Sequence, residues 1–157
     1  MSIKAFICDI DGTLTDGNIY ISTSGDSMIQ YSRLDGEGFS RLREKGILSV
    51  WITKEKNCQT HLERAIKLKI DHFLNSEDKF IALSDFLDSK KILWSEVAYI
   101  GDDFADLQCL LEAGVSYCPK NSIIDLFVNK DFERIKRTNL ESGKGCVREV
   151  IEKILTI

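Results

Sequence analysis

Residues 6–17 read Phe6-Ile7-Cys8-Asp9-Ile10-Asp11-Gly12-Thr13-Leu14-Thr15-Asp16-Gly17. A largely apolar run from Ile3 to Cys8 ends in two aspartates one residue apart, followed by glycine and threonine. A short apolar run closed by a turn signal reads as a buried strand. In open parallel sheets ligands bind beyond the carboxyl ends of the strands. Asp9 and Asp11 are therefore expected at a strand tip, and alternation along the strand predicts that both side chains point the same way. Two close carboxylates repel unless a hard cation such as Mg2+ or a shared proton neutralises them. By itself Asp-x-Asp-Gly is also an ordinary turn after a strand. The rest of the chain decides between the two readings.

Working outward, Asn18–Tyr31 reads as a hairpin, with Ile19-Tyr20-Ile21 and Met28-Ile29-Gln30-Tyr31 flanking the turn-rich Ser22–Asp26. It is expected to stand over the strand tips, as a lid or a subunit contact. Asp35-Gly36-Glu37-Gly38 reads as a turn before a helix over Phe39–Lys45. Buried strands follow at Ile47–Thr53, near His72–Leu74, at Val97–Ile100 and at Val115–Cys118. Helices are predicted over Asn57–Lys69, from Ser76 through Leu87, through Leu107–Leu111 to Gly114, near Ser122–Val128 and over Val147–Leu155, with an extended piece around Phe132–Lys136. Strand and helix alternate throughout. The expected fold is a Rossmann-like parallel α/β sheet with helices on both faces, a hairpin insertion after the first strand and no large cap domain.

The 157 residues read as one domain with enough chain for a full core. A net charge of −4 argues against a broad nucleic-acid surface. No apolar run approaches the roughly 18 residues of a membrane span, and Met1-Ser2-Ile3-Lys4 leads straight into the first strand without a signal-peptide pattern. Cys8, Cys58, Cys109, Cys118 and Cys146 show no Cys-x-x-Cys spacing, which fits reduced thiols in a cytoplasmic protein. His61 and His72 have no metal-ligand partner at useful spacing and read as satisfied or exposed. Trp51 and Trp94 read as packing residues.

Three expected strand ends carry polar groups: Asp9 and Asp11, Thr53, and Asp102 with Asp103. Lys79 lies in the opening turn of a predicted helix. The chemistry that uses such a set is phosphoryl transfer. One carboxylate attacks phosphorus. A second carboxylic acid protonates the departing alkoxide and then activates water. Mg2+, a lysine, a hydroxyl and backbone N–H groups stabilise the phosphoryl oxygens.

With these parts in order, the chain resembles the haloacid dehalogenase superfamily. The four motifs stand as Asp9-Ile10-Asp11-Gly12-Thr13, Thr53, Lys79 and Gly101-Asp102-Asp103-Phe104-Ala105-Asp106. The resemblance implies Asp9 as nucleophile and Mg2+ ligand. It implies Asp11 as acid and base, with its backbone carbonyl on Mg2+, and Asp102 as the third protein ligand. Thr53, Lys79 and the N–H groups of Gly12 and Lys54 would hold the phosphoryl group, and Asp103 and Asp106 would orient the metal site and Lys79 from behind.

Leu14-Thr15-Asp16-Gly17, Asp35-Gly36-Glu37-Gly38 and Gly143-Lys144-Gly145-Cys146-Val147-Arg148-Glu149 look like the short, capless branch of that superfamily. This branch includes phosphatases of 3-deoxy-manno-octulosonate 8-phosphate and of nine-carbon acids such as sialic acid or its deaminated analogue, KDN. The resemblance implies a homotetramer in which the hairpin builds the interface and a neighbour closes each site. Thr53-Lys54-Glu55-Lys56 is similar to the nine-carbon type, because octulosonate phosphatases carry arginine where Glu55 stands. Lys54 replaces the usual glycine and Ala105 a common asparagine. Arg64 and Lys67 are expected to meet a substrate carboxylate across a subunit boundary, and Arg148 to help close a neighbour's site. The expectation is a Mg2+-dependent phosphatase of a nine-carbon 2-keto sugar acid. The alternatives are the octulosonate substrate or a catalytically weak oligomerisation module like those fused to sugar-acid cytidylyltransferases. A receiver domain also uses a strand-end aspartate and Mg2+, but the motif order here is wrong for it.

Overall fold

The computed structural model describes residues 2–127 and 131–156. A six-stranded sheet runs in the order β5-β4-β1-β6-β7-β8, every pairing parallel. The strands are β1 (Ala5–Asp9), β4 (Leu48–Thr53), β5 (His72–Asn75), β6 (Val97–Ile100), β7 (Val115–Cys118) and β8 (Ile135–Arg137). β2 (Tyr20–Ile21) and β3 (Ser27–Met28) form a separate two-stranded hairpin. The helices are α1 (Arg33–Glu44), α2 (Gln59–Leu68), α3 (Lys79–Lys90), α4 (Leu107–Glu112) and α5 (Cys146–Ile154).

All five residues of β1 are buried because both sheet faces are covered. Alternation along the strand sorts the core. Phe6 and Cys8 pack with Phe39, Leu42, Trp51, Ala65, Val147 and Ile151, beneath α1, α2 and α5. Ala5 and Ile7 pack with Val50, Ile52, Leu83, Leu87, Tyr99 and Leu110, beneath α3 and α4. β1 lies between β4 and β6, at the point where the chain reverses the direction in which strands are added. The tips of these three strands border the crevice where α/β sheets bind ligands.

Several expected boundaries move for physical reasons. Asp35–Gly38 is not a turn but the first half of α1, which starts after Ser32, whose hydroxyl accepts the Leu34 N–H at 3.2 Å. The glycines serve packing rather than turning. A Cβ on Gly38 would stand 2.7 Å from Ile151 Cδ1, and one on Gly36 would stand 3.0 Å from Leu68 Cδ2. Helix α3 starts at Lys79 rather than Ser76, because the Asp78 carboxylate accepts the Ile81 N–H at 3.0 Å. The hairpin pairs Tyr20 with Met28, and its expected second strand stops there. Tyr31 instead bridges Thr15 and stacks on Trp51. The helix expected near Ser122–Val128 is a single 3-10 turn, Ile124–Leu126, and Val128 lies outside the described residues. No helix among the described residues is long and apolar enough to cross a membrane.

Candidate active site

Asp9 is the last residue of β1 and is 4% exposed. The strand then breaks into a tight turn, Ile10–Leu14, in which Gly12 takes φ +86°, a conformation glycine adopts without cost. Asp11 therefore stands beyond the strand, and the alternation argument does not apply to it. The turn itself brings its carboxylate to the same cavity as Asp9. Thr53 ends β4, and its hydroxyl donates to Asp11 Oδ2 at 3.1 Å while accepting the Glu55 N–H at 2.9 Å. Asp102 follows β6 by two residues and accepts from the Thr13 hydroxyl at 3.3 Å.

Lys79 opens α3, and helical side chains lean toward the helix N-terminus. Its ammonium thus reaches the strand tips, where it contacts Asp9 Oδ1 and lies 2.8 Å from Asp106 Oδ1. The two carboxylates, outweighing burial, hold its pKa above the ordinary lysine value. Asp106 accepts in addition from the Tyr99 hydroxyl at 2.6 Å and from the N–H groups of Asp102 and Asp103 at 3.1 and 3.3 Å. Its oxygens are saturated, so it fixes Lys79 and the loop rather than offering free lone pairs. Asp103 does not reach Lys79; its carboxylate accepts the Phe104 N–H at 2.6 Å and caps the 3-10 turn that carries Asp106.

Carboxylate oxygens of Asp9, Asp102 and Asp106 lie within 4.8 Å of one another. Burial and the nearby Asp106 push the Asp9 carboxyl well above its usual range, against the pull of Lys79. The same two causes push Asp102 up to about 6. One lysine does not neutralise three carboxylates, of which Asp9 and Asp106 are buried and Asp102 half-buried. With Asp106 saturated, Asp9 and Asp102 offer the open oxygen donors that a hard divalent cation takes, so the residues fit such an ion.

The cavity, about 550 Å³, is lined by Asp9, Asp11, Thr53, Lys54, Glu55, Lys79, Asp102, Asp103 and Asp106, with Gly17, Asn18, Ile19, Ser27 and Ile29 on the hairpin side. Four expected residues do not line it. Gly12, at φ +86°, directs its N–H to Thr15 Oγ1 at 3.2 Å. Arg64 and Lys67 line a separate groove between α1 and α2 with Arg33 and Arg43. Arg148 pairs with Glu152 at 2.6 Å, one turn along α5. Within one chain, therefore, these cations face away from the cavity.

His61, read from the sequence as a satisfied or exposed histidine, is satisfied, and it stands in the cavity. It is 1% exposed and lies in the first turn of α2, with Nε2 3.1 Å from Asp11 Oδ1 and Nδ1 2.5 Å from the Tyr31 hydroxyl. The available signal was its position, eight residues beyond Thr53, in the helix turn that faces the strand tips.

No family model matches the chain. It is similar to 3-deoxy-D-manno-octulosonate 8-phosphate phosphatase KdsC of Yersinia pestis, at 30% identity over 155 residues, covering 98% of this chain and 80% of that protein. It is 29% identical over 158 residues to N-acylneuraminate cytidylyltransferase A of Danio rerio, covering 99% of this chain but only 35% of that longer protein. Among solved structures it superposes on the octulosonate 8-phosphate phosphatase of Moraxella catarrhalis in complex with magnesium, phosphate and KDO. There the TM-score is 0.85 at 33% identity, over 98% of this chain and 86% of that one. With this identity carried over nearly the full length of both partners, and with the aspartates, threonine and lysine gathered at the switch point, the chain belongs to the haloacid dehalogenase superfamily, in the branch of KdsC phosphatases.

Proposed function

We propose that the protein is a Mg2+-dependent phosphatase of a phosphorylated 2-keto sugar acid. The observation that carries this reading is the convergence of Asp9, Asp11, Thr53, Lys79 and Asp102 on one cavity at the carboxyl ends of β1, β4 and β6. Asp9, Asp102 and the Asp11 carbonyl would hold Mg2+, which when bound supplies charge neutralisation to the phosphoryl oxygens. An Asp9 carboxylate oxygen attacks phosphorus, and the bond from phosphorus to the sugar oxygen breaks. Asp11 gives that oxygen its proton. In the second step Asp11 takes a proton from water, the water oxygen bonds to phosphorus and the Asp9–phosphorus bond breaks, releasing inorganic phosphate. Lys79, fixed by Asp106, and the Thr53 hydroxyl hold the transferring group in line. Lys54, on the cavity wall, adds positive charge.

The octulosonate phosphatases among the relatives favour an eight-carbon 8-phosphate. One observation favours a nine-carbon 9-phosphate: Glu55 lines the cavity where the eight-carbon type carries arginine. The assembly proposed is a homotetramer formed through the hairpin, where Ile19, Ile21 and Met28 are 68%, 72% and 67% exposed beside the cavity mouth. A neighbour would bring Arg64, Lys67 and Arg148 to the site that they do not reach within one chain. The absence of disulfides among the five cysteines fits a cytoplasmic enzyme.

The test is kcat/KM with Mg2+ for octulosonate 8-phosphate, KDN 9-phosphate and N-acetylneuraminate 9-phosphate. A preference of about a hundredfold, roughly 2.7 kcal/mol of transition-state discrimination, names the substrate. Slow and equal hydrolysis of all three overturns the sugar-acid reading in favour of an oligomerisation module. Asp9→Asn is expected to abolish turnover without unfolding the chain.

A further inference from the structure

We infer that His61, backed by Tyr31, is a positioning residue that sets the orientation of the Asp11 carboxyl for proton transfer. The inference rests on the phosphatase reading, in which Asp11 is the acid and base. Tyr31 lies 30 residues before His61 in the chain, directly after the hairpin. Its ring is stacked on the fully buried Trp51 at 6.2 Å, with the Arg64 guanidinium over it at 5.7 Å. The phenol is therefore clamped, and burial raises its pKa, which keeps its proton on.

In the proposed arrangement Tyr31 donates to His61 Nδ1, so that the ring hydrogen resides on Nε2 and points at Asp11 Oδ1. Thr53 donates to the other oxygen, Oδ2. Both oxygens of Asp11 thus meet a fixed donor, although its side chain is 46% exposed and is anchored by nothing else in the hydrogen-bond network of the described residues. A half-exposed carboxyl on a turn otherwise samples several rotamers, and misplacement of a proton donor by about 1 Å is enough to cost on the order of a hundredfold in rate. Phosphoryl transfer to Asp9 needs Asp11 only to protonate the leaving oxygen. A positioning residue should therefore matter for a sugar alkoxide and hardly at all for a phenolate that departs without a proton.

The test compares kcat/KM for the preferred sugar-acid phosphate and for p-nitrophenyl phosphate in the wild type and in His61→Ala, His61→Gln, Tyr31→Phe, Asp11→Asn and the Asp11→Asn/His61→Ala double variant. The expected result is that His61→Ala loses about thirtyfold or more on the sugar phosphate and under about threefold on p-nitrophenyl phosphate. His61→Gln, which keeps an N–H donor, recovers part of the loss. The double variant is no worse than Asp11→Asn alone. Equal losses on the two substrates, no loss on either, or no recovery by glutamine overturns the inference.

A second readout does not depend on turnover: the 15N signals of the His61 ring in the folded protein. An Nε2–H tautomer that is lost in Tyr31→Phe is expected, and an Nδ1–H tautomer in the wild type overturns the inference. A wild type inert on every phosphate overturns the functional reading instead. The two failures are thus distinct.

Discussion

Lys79 shows how much a single side chain holds in this structure. It is 5% exposed, and among the described residues its ammonium is the one charge that offsets Asp9 and Asp106 at close range. Breaking a buried pair by deleting one partner leaves an uncompensated buried charge, at a cost of about 3–5 kcal/mol. Lys79→Met is expected to lower the unfolding free energy from urea titration by an amount of that order and to abolish turnover. The Lys144–Glu141 pair is exposed and serves as the control, because Lys144→Met should leave that free energy unchanged within error. A stable Lys79→Met protein would show that the carboxylates had been neutralised in some other way. The sequence marked Lys79 through its place in a predicted helix start. It did not place His61 in the cavity, because a histidine's partners come from chain segments 30 and 50 residues away.

At the scale of elements, α1 and α5 are joined by a buried carboxylate. The N-cap of α5 is Gly145, at φ +104°, and it has no side chain to cap with. Asp35 of α1 does that work from outside, accepting the Arg148 N–H at 2.8 Å while its second oxygen has no hydrogen-bond partner among the described residues. Burial pushes the Asp35 carboxyl up to about 6, against the backbone N–H groups that lower it. The unfolded carboxyl titrates near 3.8. Between these values the folded state holds a proton that the unfolded chain has released, so stability falls as pH rises. The contribution is full below about pH 4 and lost as pH passes about 6, at most about 3 kcal/mol. Asp35→Asn should be flat over this range. Urea titrations at pH 4 and pH 7 should show the wild type losing stability relative to the variant, and parallel curves would contradict the assignment.

For the whole molecule, the hairpin lines one side of the cavity and carries exposed apolar residues. A capless site needs something to exclude water, and exposed patches of this kind mark interaction surfaces. Ile21→Asp is expected to convert the proposed tetramer to smaller species on size-exclusion chromatography and to lower kcat/KM at least tenfold, with the fold unchanged by circular dichroism. A variant that stays tetrameric and active would place the interface elsewhere. The separation of Arg64, Lys67 and Arg148 from the cavity belongs to this scale, since one chain alone gives these cations no route to a bound substrate.

The sequence by itself determined the parallel α/β class, because apolar runs bounded by turns repeat along the chain, and the aspartates, Thr53 and Lys79, because chemistry at strand tips leaves polar groups at fixed places after those runs. It misread Asp35–Gly38 as a turn. Glycine breaks helices locally, and only the approach of Ile151 and Leu68 shows why two of them sit inside α1. The tertiary structure alone decided that the Gly12 N–H ends on Thr15 Oγ1, that Asp106 is saturated while Asp102 is open, and that His61 completes a chain from Tyr31 to Asp11. Each of these depends on where a hydrogen bond ends. That end point is set by segments distant in sequence, which no local pattern of residue types records.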